Sequence, residues 1–272
     1  MQDSRKRLAI SAIRLRMQFP PTCRRAMKSS NPTYSRSAIA RLSAAHTNDG
    51  TVLTLPGIAR KSLVLLLLVI ASAGYTWRMA ALQGADAVMG AAMVGIIGGL
   101  VVAIVTMFSP SSAPITAPIY AVLEGVGIGA ISYITNARYH GVPLQAAVAT
   151  FGITAVCFGL FATNRIEVSE SFAEKVAIGM MGLLAVYLLR LALSLAGVPI
   201  GAVLDQGWIG FGINALSIGL AISCLFVDFA EIESARREKL SAKTEWYFAF
   251  SVIVTLIWLY IAMLRMLRRF RR

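Results

Sequence analysis

Seven long apolar runs constrain this chain more than anything else in it. They lie at about 62–82, 85–108, 112–135, 142–163, 172–197, 206–229 and 246–266. A helix needs roughly 20 mostly apolar residues to cross the hydrocarbon core of a bilayer, and each run supplies them. A soluble core helix of that length carries a polar stripe, and most of these runs carry none. Composition agrees, with 57% hydrophobic residues against 14% charged. The breaks "SPSSAP", "NARYHGVP" and "TNRIEVSES" are short, which keeps consecutive helices as neighbours in one bundle. The expected fold class is therefore all-α, a polytopic membrane protein with a seven-helix transmembrane bundle over residues 62–270. No large extramembrane domain follows residue 61, so function is expected within the bundle or at its faces.

Residues 1–61 are rich in Arg and Lys and hold two acids, Asp3 and Asp49. A nucleic-acid arm usually accompanies a folded binding module, and none is visible, so no nucleic-acid partner is expected. A mitochondrial presequence fits "SRKRLAISAIRLRMQF", which is Arg-rich and acid-poor. The favoured reading is a flexible cytoplasmic tail obeying the positive-inside rule, in a multi-pass protein of the cell (plasma or inner) membrane. On that assignment the inside loops include "TNRIEVSESFAEK" and "ESARREKLSAK", whereas the outside loops carry little beyond Arg78 and Arg138. Seven spans then put the C-terminal "RMLRRFRR" outside, against the rule. Either the last span is a re-entrant hairpin or the larger N-terminal bias prevails.

Three ionisable residues fall inside the runs: Glu124, Arg190 and Asp228. A charge at the bilayer centre costs about 2.5–3.5 kcal/mol on insertion scales, so such residues face the bundle interior or water and find partners. Three roles are compatible with them. They form a structural ion pair, such as Arg190 with Asp228 or Glu124; they handle protons or cations; or Asp228, near the inner end of its run, snorkels to the interface. Gly95 with Gly99, and Gly125 with Gly129, have the small-xxx-small spacing of closely packed membrane helices. Trp77, Trp246, Trp258, Tyr247 and Tyr260 lie near the ends of the first and last spans, where interfacial anchoring accounts for the terminal ones. Thr244 is expected to cap the last helix, with Glu245 complementing the dipole in its first turn.

Cys23, Cys157 and Cys224 are far apart and have no metal-ligand spacing. His46 and His140 stand alone in loops. No protease, hydrolase or phosphate-binding motif is present, so neither enzyme activity nor a cofactor is expected.

"SSNPTYSR", "PIYAVLEGVGIGAIS", "DFAEIE" and "KTEWYFAFSVIVTLIWLYIAMLR" together resemble the Bax inhibitor-1 family, in its bacterial Bax-inhibitor-1-like branch, over about residues 27–270. The resemblance implies six helices around a hydrophobic seventh. It also implies a pH-sensitive calcium leak gated by two aspartates, one ending the sixth span and one in the seventh. Asp228 matches the first, and Ala262 stands where the second is expected. Two carboxylates can share a proton and switch with pH, and a single aspartate lacks that mechanism. The implied partners are the lipid bilayer, calcium ions or another membrane protein, such as a protease that the chain modulates without conducting. Members of this branch tend to begin near a sequence like "MKSSNP", which Met27 opens here, so residues 1–26 are expected to be a dispensable extension or the product of an upstream start codon.

Overall fold

A computed structural model of the chain describes residues 51–163, 168–196 and 207–271. The basic tail before Thr51, with Cys23, Met27 and His46, lies outside the described residues. Seven long helices follow: α1 (Leu55–Gln83), α2 (Ala85–Phe108), α3 (Ala113–Arg138), α4 (Val142–Ala162), α5 (Glu170–Leu195), α6 (Gly207–Arg237) and α7 (Glu245–Phe270). Each is long and apolar enough to cross a membrane.

Local chemistry sets the ends. The Thr54 hydroxyl accepts from the Gly57 amide, and Pro56 occupies the first turn of α1, where its missing N–H costs nothing. α1 therefore starts seven residues before the expected span. Gly84 and Gly141 take positive φ angles of 91° and 80° at the turns after α1 and before α4, backbone that side chains with a Cβ rarely adopt. The sixth helix continues to Arg237, eight residues beyond its apolar run. Glu233 holds Arg236 and Arg237 one turn on, at 2.7 and 3.1 Å, so the helix keeps its own polar support after the hydrophobic stretch ends.

The two ends of the bundle are distinct. At the first face, Thr51–Leu53 pairs with the α6–α7 connection: Leu53 N–H donates to Leu240 O at 2.7 Å, and Ala242 N–H to Thr51 O at 3.1 Å. At the second face, Arg271 Nη1 donates to His140 O at 2.9 Å, and Arg269 Nη1 to Gly207 O at 3.4 Å. Helix α7 runs unbroken between them. The re-entrant alternative is thus set aside, because the basic C-terminus ends on the opposite face from the start of α1.

Helix α7 is the central element. Tyr247, Phe250, Ile253, Leu259 and Leu264 are all but inaccessible. Its main neighbours are α1, α3, α4 and α6, while α2 packs outside on α1 and α3, and α5 packs on α6. A hydrophobic helix needs no polar stripe when helices enclose it on most sides. The central position also corrects the aromatic reading. Tyr247 is fully buried, Trp258 Nε1 donates to Ser217 Oγ at 3.2 Å, and Tyr260 bonds Ser132 at 2.7 Å. These three serve the interior, because α7 presents little surface to the lipid interface.

The paired glycines pack helices. A Cβ on Gly95 would lie 2.5 Å from Leu123 O of α3; one on Gly125 would lie 2.6 Å from Val69 O of α1; and one on Gly129 would lie 2.9 Å from Ala73 Cα. Helix α3 is thus held backbone to backbone against both α1 and α2. Within a bilayer, hydrophobicity does not drive helices together, and such close approach supplies the association.

Candidate functional site

Helices α6 and α7 meet along stripes of buried residues spaced three and four apart. On α6 these are Asn214, Ser217, Ala221, Cys224 and Asp228. On α7 they are Ser251, Thr255 and Ala262, with the half-buried Trp258 and Arg265 continuing the same spacing. Because the helices run antiparallel, Asp228 meets Ser251 and Thr255 towards the first face, and Ser217 meets Trp258 deeper in. The result is a polar seam through an otherwise apolar bundle.

Asp228 is 4% exposed, nine residues inside the end of α6. It does not snorkel. Ser251 Oγ donates to Oδ1 at 2.8 Å and Thr255 Oγ1 donates to Oδ2 at 2.7 Å. Both oxygens are thus engaged by hydroxyls of α7. The two hydroxyls are one turn apart, so a single face of α7 clamps both oxygens. Ala262, also fully buried, lies seven residues beyond Thr255, about 10 Å along the helix. The positions opposite Asp228 are therefore Ser251 and Thr255, and Ala262 does not face it.

The other two intramembrane charges lie elsewhere. Val176 of α5 packs in one cluster with Cys224 and Val227 of α6, which puts Asp228 level with the start of α5. Arg190 is fourteen residues further on, about 20 Å along the axis, so it and Asp228 are not each other's partners. Glu124, half-buried in the middle of α3, lies against α2: a Cβ on Gly99 would sit 2.8 Å from its Oε1. The seam ends at the second face with a different charge. The Arg265 guanidinium stacks 5.2 Å from the Tyr187 ring of α5. Its Nε and the Tyr187 hydroxyl are buried and have no hydrogen-bond partner among the described residues.

Thr244 and Glu245 depart from a simple cap. The Thr244 hydroxyl donates to Ser241 O at 2.7 Å and makes no cap bond, because the Ala242–Thr244 turn already has helical backbone. Glu245 does occupy the first turn of α7, but it also fastens α1. Its Oε2 accepts from Lys61 Nζ at 2.8 Å, and its Oε1 from the Thr54 amide at 2.8 Å and the Thr54 hydroxyl at 3.1 Å. Lys61 further donates to Ala242 O and lies 5.5 Å from the Trp246 ring centre.

Sequence reasoning found Asp228 and missed Ser251, Thr255 and Lys61. The signal for the hydroxyls was available: two small polar side chains four apart in "SVIVT", on an otherwise apolar helix. Lys61 read as the last residue of the tail because its partner is 184 residues away. Among the described residues no cluster of acidic, histidine or cysteine side chains suits a metal ion.

With this geometry in hand, a comparison with protein families matches the model described as Bax inhibitor 1 like to residues 24–272. The chain belongs to the Bax inhibitor 1-like family. No curated protein and no solved structure matches it. The family match and the seven apolar helices make it a multi-pass membrane protein in a lipid bilayer. Within this Bax inhibitor 1-like bundle the acid ending the sixth span is met by two hydroxyls of the last helix.

Proposed function

We propose that the protein is a non-enzymatic, passive cation leak, with calcium the leading candidate ion, or a regulator of ion balance acting through the same seam. The observation that carries the reading is the buried Asp228 carboxylate clamped by Ser251 and Thr255, at one end of a polar seam through an apolar bundle. A polar group held in hydrocarbon is costly and marks a pathway or a switch more readily than a packing device. The two hydroxyl bonds join α6 to α7 and hold the seam closed. Because hydroxyls stand opposite Asp228, the clamp works without a proton shared between two acids. The first face, where α1 begins, is cytoplasmic on the positive-inside count.

The test is calcium flux into liposomes containing the purified chain. Thr255→Val should raise the leak by loosening the clamp. Thr255→Asp should set two acids against each other and make flux steeply pH-dependent. Ala262→Asp, two turns away, should leave pH dependence weak. A well-folded protein that passes no ions in any of these forms would favour the other reading, a non-conducting protein that modulates another membrane protein such as a protease.

A further inference from the structure

A cavity of about 330 Å³ lies between α1 and α4, backed by α3 and α7. Its volume is within the roughly 300–1,000 Å³ of small-molecule sites. It opens sideways into the bilayer, because Ile70 and Phe151 on its lips are 51% and 45% exposed. Its hydroxyls are engaged: Ser132 and Tyr260 bond each other at 2.7 Å, and the Thr150 hydroxyl donates to Ala146 O at 2.8 Å. An occupant therefore finds walls that are almost entirely hydrocarbon, with the Trp77 indole N–H among the few polar groups, which disfavours water and polar solutes.

The depth and the rim narrow the occupant further. From Pro143, in the first turn of α4, the lining reaches Leu256 of α7, fourteen residues before the second-face end of that helix. This is about 20 Å, or from the membrane edge past the middle of a hydrocarbon core about 30 Å thick. Three arginines stand at the edge. Arg78 follows the lining residue Trp77; Arg138 ends α3 just before Pro143; and Arg271 is bonded to His140 O, three residues before Pro143. Asp86, in the first turn of α2, is the acid at that face among the described residues.

We propose that this groove seats one anionic phospholipid, with an acyl chain between α1 and α4 and the phosphate among Arg78, Arg138 and Arg271. Hydrocarbon is the chemistry that the walls accept, and a phosphate is the group that arginines at a membrane edge recognise. The inference is independent of the leak reading, since it uses neither Asp228 nor ion flux.

The experiment is native mass spectrometry of the purified chain released from detergent and titrated with phosphatidylglycerol or phosphatidylcholine. The unaltered chain should retain one phosphatidylglycerol and bind it in preference to phosphatidylcholine. Gly74 lines the groove, and a Cβ there meets nothing within 4 Å, so Gly74→Phe fills the space without moving backbone. That variant should lose the lipid, and Ala147→Phe, from the opposite wall, should do the same. Gly152→Phe, on α4 outside the lining and equally unobstructed, should keep it. Arg138→Gln and Arg271→Gln should each cost about fivefold in the preference for phosphatidylglycerol while leaving a lipid bound. Thermal unfolding followed by tryptophan fluorescence checks that each variant is folded. Lipid retention in the two groove-filling variants as strong as in the original chain, no retained lipid in the original chain, or no preference for the anionic lipid would each overturn the proposal.

Discussion

Replacing Thr255 with valine removes one hydroxyl and almost no volume, so it isolates what the clamp on Asp228 is worth. Interhelical hydrogen bonds inside membrane proteins average about 0.6 kcal/mol and reach about 1.7. Hydrogen bonds to charged groups in proteins are worth about 1.5–3 kcal/mol. Two facts decide between these ranges. The bond is short, at 2.7 Å, and its acceptor is 4% exposed, so water cannot replace the lost donor. Thr255→Val should thus cost about 1.5–2 kcal/mol, and Ser251→Ala a similar amount. The double variant strips both donors and should cost about 3–5 kcal/mol, like other buried charges left uncompensated. The assay is reversible unfolding in mixed micelles, with each variant made in the original chain and in Asp228→Leu. Once the carboxylate is gone, the Thr255 hydroxyl keeps only its longer bond to Ser251 O within α7, at 3.2 Å, and Thr255→Val should fall below about 0.5 kcal/mol. The same cost with and without Asp228 would show that Thr255 acts by packing alone and would remove the clamp from the account.

Gly129→Ala should destabilise by about 1–3 kcal/mol, because the added Cβ would press on the Ala73 backbone and drive α1 from α3. Gly152→Ala, with open space around it, should change the unfolding midpoint little under the same conditions. Lys61→Met should cost about 2 kcal/mol by freeing the buried Glu245 carboxylate, and Glu245→Gln should lose less in the Lys61→Met background than alone. For orientation, a cysteine placed at Ser43 should resist a membrane-impermeant label applied outside the cell, while cysteines at Tyr139 and Phe270 should both react. Opposite labelling of Tyr139 and Phe270 would contradict the crossing of α7.

The apolar runs made the fold readable, because hydrocarbon leaves a spanning chain little choice but helix. They misplaced ends wherever polar chemistry carried a helix past its apolar run. Thr54 and Pro56 began α1 early, and the Glu233 pairs prolonged α6. The site was legible only in part. A lone Asp228 in an apolar run announces itself, but what it touches depends on which face of α7 turns towards α6. No local pattern states the register between two helices, and the family resemblance pointed to Ala262, a position two turns from Thr255 and three from Ser251. Pairing Arg190 with Asp228 failed for a related reason. Their burial in membrane spans said nothing of height, and packing of Val176 on Val227 leaves Arg190 near the opposite face.

The same antiparallel geometry gives the seam two unlike ends. Asp228 lies towards the face that carries the start of α1, whereas Arg265 and Arg269 lie towards the face where α7 finishes. A cation moving along the seam meets a carboxylate at one end and guanidinium groups at the other. Positive charge lining a narrow route raises the barrier to cations, so on the leak reading the arginine end adds a second barrier to that of the Asp228 clamp, and Thr255→Val raises the leak only in part. Arg265 is held over the Tyr187 ring, and α5 packs mainly on the outside of α6, reaching the central helix through Tyr187 and the cluster around Trp258. Displacement of α5 from α6 would carry Tyr187 away and leave Arg265 free to turn towards the membrane surface, as long basic side chains near helix ends do. The clamp and the arginine end are then two separate barriers in series, and loosening Thr255 alone opens only the first.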